Sequence, residues 1–333
     1  WHFQAVHHDL FDYDLPSQPI LTEVLRGSVT IPAVVQITKM GTVFVFHRDT
    51  GEPLFPIEEQ PVPASTIPSE RSSPTQPMPI KPPPFSHQTV KEDEIFGLTF
   101  WDRNKCKELF RSLRYEGMFT PPSEQGTLIF PSPGGGGNWG GAAVDPERQI
   151  LIVKGQNFGN IFRLEKVKAA VGSESFSRQS SLNRFMEGTP YRIIGGRWES
   201  PFGVPCNPPP WGEISAIDLN AGETLWRRPL GQVPFGPFGL FKSPKTWGGP
   251  ISGGPIITAG GLIFIGGTME GAFRALDVET GKTVWSTTLA APAMAVPMTY
   301  IFKGIQYVVI AAGGSKLVGT PLSDQLIAFA LPN

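Results

Sequence analysis

A chain of 333 residues that is 40% apolar, 17% charged and one negative charge from neutrality can build a large core, and its balanced charge leaves no electrostatic footprint for nucleic acid or an anionic membrane surface. No run approaches the roughly eighteen uninterrupted apolar residues of a membrane-spanning helix, and no basic-then-apolar leader opens the chain. Its 38 glycines and 35 prolines break helices and punctuate strands, so many short strands and turns are expected.

The first distinctive segment is "HHDLFDYDLPSQP" at 7–19, which crowds Asp9, Asp12 and Asp14 into six positions. On their own these acids read as turn or N-cap residues, with His8 and Asp9 capping or orienting the turn. His7 and His8 have no cysteine or histidine partner at metal-ligand spacing, which argues against zinc. Further on, "QITKMGTVFVF" puts Lys39 at the end of a predicted strand, where an isolated lysine reads as a surface residue.

A recurring unit follows. "GTVFVFHRDTGEPLF" (41–55), "GEISAIDLNAGETLW" (212–226) and "GAFRALDVETGKTVW" (271–285) each give a glycine, an alternating strand, a polar turn ending in glycine, and a strand closing on an aromatic. "GLTFWDRNKCKELF" (97–110) reads as a weaker copy, and "GNIFRLEKV" (159–167) as the first half only. The closing aromatics Trp1, Phe55, Phe110, Trp226 and Trp285 lie 54, 55, 116 and 59 residues apart, and the third interval leaves room for a degenerate copy. Period-2 alternation marks half-buried strands, and such a unit must stack on copies of itself to bury both faces. A period near 57 with four strands per copy fits a β-propeller blade; a β-solenoid or unrelated hairpins is the alternative. Counting from Trp1 gives about five blades and an incomplete one in 306–333.

Two stretches interrupt the pattern. Residues 56–87 are proline-rich and are expected to run extended over the surface, and residues 172–210 are similar, with a serine-rich start. The apolar, glycine- and proline-broken segment 233–247 reads either as a loop packed on the sheets or as a contact for a membrane or partner. Cys106 and Cys206 fit no zinc spacing, and their separation neither requires nor excludes a bond.

Together with this repeat, "HHDLFDYDLPSQP", "TPPSEQGTLIFPS" (120–132), "NWGG" (138–141), "PPPWGEISAIDLNAGETLW" (208–226) and "TAGGLIFIGGTMEGAFRALDVETGKTVW" (258–285) resemble the pyrroloquinoline-quinone (PQQ)-dependent dehydrogenases, and most closely their membrane-bound glucose/quinate/shikimate branch. The resemblance runs from residue 1 to 333. It implies an all-β, eight-bladed periplasmic propeller that oxidises a polyol, cyclitol or sugar hydroxyl by hydride transfer to PQQ and passes electrons to ubiquinone. Residue 1 falls partway along the family's chain, so the N-terminal blades and the membrane anchor are expected to lie outside these 333 residues, which form a single propeller portion.

In the family's H-D-x-aromatic-D motif the second acid is the catalytic base, which here is Asp12; a carboxylate beside the hydroxyl takes its proton as the hydride leaves. Lys39 matches the lysine near the ortho-quinone oxygens, where a cation stabilises developing negative charge. The family's cation, calcium or magnesium with a lanthanide as a further candidate, takes oxygen ligands. Asp12 and Asp14 are the candidates to hold it, Asp14 either as a ligand or as an acid behind the ligands. Asn138 and Trp139 in "GGGGNWGG" match the G-G-x-N-W of alcohol-oxidising relatives, with a core role as the alternative for Trp139, and Trp247 matches a cofactor-contacting tryptophan. Lys154 replaces the asparagine of glucose-type enzymes, so either Asn157 substitutes or that contact is lost. This mixture points away from glucose itself.

Two readings follow. One is a quinoprotein dehydrogenase that needs the missing blades or a second chain to complete its site. The other is a non-catalytic propeller scaffold, and convergence of Asp12 and Lys39 on the central channel is the feature that separates them.

Overall fold

The computed structural model describes residues 1–167, 183–235, 241–316 and 318–331. Residues 172–182 of the second interruption and 236–240 of the apolar segment lie outside them.

Four sheets stack in series. The first comprises Ile20–Arg26, Val29–Ile37 and Val43–His47; the second, from inner to outer sequence neighbours, comprises Ala142–Asp145, Ile150–Gln156, Gly212–Asp218 and Glu223–Pro229. The third is Ile256–Ile257, Leu262–Ile265, Ala272–Asp277 and Thr283–Thr288, and the fourth is Met298–Phe302, Ile305–Ala312 and Gln325–Ala330. Neighbouring strands in all four are antiparallel. Alternation sends one set of side chains to each face. Val35, Val43 and Val45 of the first sheet meet Leu151, Val153 and Ile217 of the second. The second sheet's other face, with Ile152 and Ile214, meets Ile263, Ile265 and Leu276 of the third, and Phe273 of the third meets Val308 and Ile310 of the fourth.

The closing aromatics latch this stack. Gly222 and Gly281 sit in the polar turns at φ +66°, a conformation that glycine adopts without penalty. Their missing side chains leave room for the preceding sheet's aromatic: a Cβ on Gly222 would overlap the Phe55 ring, and one on Gly281 the Trp226 ring. Trp1 lies against Gly51 in the same way. The Trp226 indole also donates to the Val278 carbonyl at 2.9 Å, and Trp285 packs edge-on against Phe329.

Two parts of the chain depart from the expected repeat. Residues 97–110 do not form a blade copy, because Phe100–Ser112 is an α-helix. Thr99 caps it by accepting from the Asp102 amide, and Asp102, Cys106, Leu109 and Leu113 recur at helical spacing on the covered side. Phe110 is therefore a helix residue and closes no blade. In addition, the second sheet is interrupted between Gln156 and Gly212 by an excursion whose three strands join the earlier Thr127–Ile129 in a fifth sheet, ordered Asn183–Phe185, Tyr191–Arg197, Asn160–Lys166, Thr127–Ile129. Part of the second interruption is thus regular strand. This sheet packs its Ile129 and Phe162 against Phe44 and Phe46, on the face of the first sheet away from the second.

The proline-rich segment does run extended, as a ribbon pairing Ile57–Pro61 with Thr75–Pro79. A disulfide joins Cys106 on the helix to Cys206, with Cα atoms 5.6 Å apart. Among the described residues, no helix is long and apolar enough to cross a membrane.

Candidate active site

The turn at 8–14 is built by Asp9, whose two carboxylate oxygens accept from the Phe11 and Tyr13 amides at 2.8 Å each. Phe11 and Tyr13 point into the core, edge-on to Phe119, and the Tyr13 hydroxyl donates to the Pro131 carbonyl. Burial pushes that phenol well above its ordinary pKa. Held on both sides in this way, Asp12 adopts φ +62°, a region that aspartate and asparagine enter more readily than other side chains. Its carboxylate is turned away from the core and stays 66% exposed.

The proline-rich ribbon braces the same turn. Gln76 exchanges two hydrogen bonds of 2.7 Å with the His7 backbone, while the His7 and His8 rings pair with Glu59 and Glu70. The histidines therefore serve the turn's geometry.

Lys39 lies in the hairpin between two strands of the first sheet. Thr38 and Thr42 close that hairpin by their hydroxyls and backbone. The lysine side chain is buried, and the ammonium is 2.9 Å from the Asp12 carbonyl oxygen, 3.2 Å from Asp12 Oδ2 and 2.5 Å from Asp14 Oδ1. Partial burial raises the Asp12 pKa, and the nearby Lys39 charge opposes that rise.

The glycine run forms the wall behind Lys39. Gly136 donates to the Lys39 carbonyl at 2.6 Å and Gly137 to that of Thr38 at 3.1 Å. Cβ atoms on Gly135 and Gly136 would collide with Lys39 and with Gly41. Asn138 follows in the same loop, with its amide on the Gly134 carbonyl and its side-chain oxygen on the Trp139 amide; Trp139 itself is 79% exposed. The run of four glycines, Asn138 and Trp139 stand out in the sequence as a place where backbone can approach a flat ligand closely; the bonds of Gly136 and Gly137 to the Lys39 hairpin do not.

Asn157 and Trp247 belong to a second cluster, joined by Trp211, whose carbonyl accepts from the Asn157 amide and whose own amide donates to the Trp247 carbonyl. The Asn157 side chain is fully engaged: it accepts from the His87 amide and donates to Pro210 and Glu213. The Trp247 ring packs edge-on against Phe96 and Trp211. Burial raises the Glu213 pKa and lowers that of His87.

Lys154 is fully buried on the second sheet, with its amine 2.7 Å from the Ile251 carbonyl. Burial alone pushes its pKa down to about 8. Between that pH and the value near 10.5 of an unfolded lysine, the unfolded chain holds a proton that the folded chain has released, so stability rises with pH by about 3 kcal/mol at most. Denaturant titrations from pH 7.5 to 10.5 should show this rise in the wild type and a flatter profile in Lys154→Met; parallel profiles would refute it.

A model of the PQQ-type glucose/ethanol/alcohol dehydrogenase β-propeller domain matches residues 1–308. The quinoprotein glucose dehydrogenase of Escherichia coli is 38% identical, over 100% of this chain and 43% of its own length. The quinate/shikimate dehydrogenase (quinone) of Acinetobacter baylyi is 37% identical, over 99% of this chain and 42% of its own length. The solved quinohemoprotein alcohol dehydrogenase of Comamonas testosteroni shares the fold at a TM-score of 0.56 and 20% identity, covering 94% of this chain and 36% of that one. The chain thus spans less than half the length of the curated relatives it matches. With a family model covering most of its residues, it belongs to the β-propeller family of PQQ-dependent glucose, ethanol and alcohol dehydrogenases.

Proposed function

We propose that this chain is part of a quinoprotein dehydrogenase that oxidises a polyol, cyclitol or sugar hydroxyl, with Asp12 as general base. The observation that carries the reading is the contact of Asp12 with the Lys39 ammonium, two residues 27 apart in sequence, in front of a wall of glycines. A scaffold built only for packing has no need to bury a lysine and aim it at two exposed carboxylates.

The residues fit the cofactor's needs. Lys39 supplies a held positive charge, the glycine loop lets a flat ring approach backbone closely, and Asn138, Trp139 and Trp247 are the proposed further contacts, whereas the buried Asn157 side chain is spent on His87, Pro210 and Glu213. Asp12 and Asp14 supply two carboxylates for a divalent cation. Such a cation takes about six to eight oxygens, and among the described residues no cluster of three or more acidic, histidine or cysteine side chains is formed, so the remaining ligands are proposed to come from the rest of the protein.

When bound, PQQ supplies the two-electron acceptor. Asp12 accepts the proton of the substrate hydroxyl at a carboxylate oxygen as the adjacent carbon is oxidised. Lys39 fixes that carboxylate by holding both its Oδ2 and its backbone carbonyl, so the base is oriented before substrate arrives. Ubiquinone is the proposed final acceptor. The names of the glucose and quinate/shikimate relatives support the substrate class.

Two features support the proposed setting. A buried disulfide closing a 100-residue separation suits an oxidising compartment such as the periplasm, where the protein would be membrane-associated through a segment outside this chain. The outer face of the fourth sheet leaves Met298, Tyr300, Phe302 and Leu326 exposed on one side of the strand register. That surface suits stacking by further blades of the same protein or a second chain.

The test is reconstitution with PQQ and calcium, followed by dye reduction with quinate, shikimate, inositol, glycerol and glucose. We expect turnover with at least one cyclitol or polyol once the remaining blades are present, and little from the 333 residues alone. No turnover with any of them in the complete protein would favour the scaffold.

A further inference from the structure

The glycine-rich loop 134–141 has almost no side chains with which to hold itself, yet it carries Asn138 and backs Lys39. Its position is set by the backbones it touches. On one side these are Thr38 and Lys39. On the other, Gln156 donates its amide to the Gly136 carbonyl at 3.1 Å, and Gly140 interlocks with Gly254 so tightly that a Cβ on either would collide with the other's backbone. The segment beginning at Ile251 and the end of the strand Ile150–Gln156 therefore form the loop's seat.

That seat is clamped by two side chains on the same face of that strand. The Lys154 amine donates to the Ile251 carbonyl at 2.7 Å, and the Ile251 amide donates to Gln156 Oε1 at 3.1 Å. Together they grip both polar groups of one residue, as a neighbouring strand would. The clamp begins where ordinary pairing stops: the edge strand's last partner is Ala142 opposite Val153, one position before Lys154. An amine held without a carboxylate in full burial is costly to a fold, and an apolar side chain of equal length would fill the same space while leaving the Ile251 carbonyl without its donor.

We propose that Lys154 is a positioning residue: by clamping Ile251 together with Gln156 it fixes the glycine-rich loop, and through the Gly136–Lys39 hydrogen bond it fixes the ammonium beside Asp12. This rests on the proposed site at Asp12 and Lys39. It assigns Lys154 a role through the loop rather than in contact with the cofactor.

The test compares wild type, Lys154→Met and Lys154→Arg in the full-length protein by amide hydrogen exchange in the absence of quinone, and then by PQQ affinity. Lys154→Met should raise exchange at Gly136 and Gly137 by tenfold or more, with residues 262–288 unchanged, and weaken PQQ binding by a similar factor. Lys154→Arg, which retains a donor, should recover most of both. Exchange at Gly136 and Gly137 within twofold of wild type in Lys154→Met would overturn the proposal, as would a uniform rise that includes 262–288, which would mark a purely structural role. If Lys154→Met does not fold, Gln156→Leu removes the other half of the clamp and must give the same local pattern. Because exchange is read without quinone, a protein that proves inactive still decides the question.

Discussion

Replacing Asp12 by asparagine is expected to lower turnover of the PQQ-loaded protein by about 10²–10⁴-fold, the usual range for removing a general base, while leaving the fold intact. The second half of that statement follows from the geometry. Asparagine adopts the left-handed backbone region as readily as aspartate, so the φ of +62° at this position is kept. Lys39 keeps its contacts to the position-12 carbonyl and to Asp14, so its buried amine is not stranded. The Asp9 carboxylate still ties the turn through Phe11 and Tyr13. Stability should therefore change by less than about 1 kcal/mol. Dye-reduction kinetics and a denaturant titration on the same preparation check both parts. Turnover within about threefold of wild type would remove Asp12 from the role of base.

The largest stability effect is expected from the disulfide. Replacing Cys106 and Cys206 together by serine should destabilise the protein by about 3–5 kcal/mol, because the bond spans a separation of 100 residues and long closed loops restrict the unfolded chain most. Both cysteines are buried, so the serines would also carry hydroxyls into an apolar cluster with Leu128, Phe130 and Trp198. Beyond the bond, the helix reaches this region through packing, with Phe110 against Trp198 and Trp101 edge-on to Phe202, and the Phe96 amide donates to the Cys206 carbonyl. Thermal unfolding with and without reductant provides the measurement. Reduced wild type should approach the double variant, and an unchanged midpoint in both would show that the bond contributes nothing.

The hairpins at 212–226 and 271–285 were legible from sequence because alternation, turn glycine and closing aromatic agree in each. Residues 97–110 were misread for a definite reason. "FWDRNKCKELF" has apolar residues at both ends, which mimics a strand closing on an aromatic, whereas the decisive features were the Thr99 cap and the four-residue spacing of Asp102 and Cys106. The fifth sheet was hidden because one of its strands precedes the second sheet in the chain and the other three interrupt it, and no local pattern records such interleaving. At the site, the Asp12–Lys39 contact was reached only through resemblance, since 27 intervening residues carry no signal that the two ends meet. The wall of glycines was visible as composition but not as a contact. The clamp at Lys154 could not be read at all, because a lysine in a strand looks exposed until the neighbouring sheet is placed over it.

The aromatic-on-glycine latches have a consequence for how the molecule comes apart. Phe55 joins the first sheet only to the second, and Trp226 joins the second only to the third, so cohesion runs through links in series, as in repeat arrays where each unit touches only its neighbours. Cutting the middle link does not weaken all sheets equally. Removing Trp226 is expected to loosen the junction of the second and third sheets, which then keeps only its other apolar contacts, and so to lower the cooperativity between the two halves of the stack more than the stability within either.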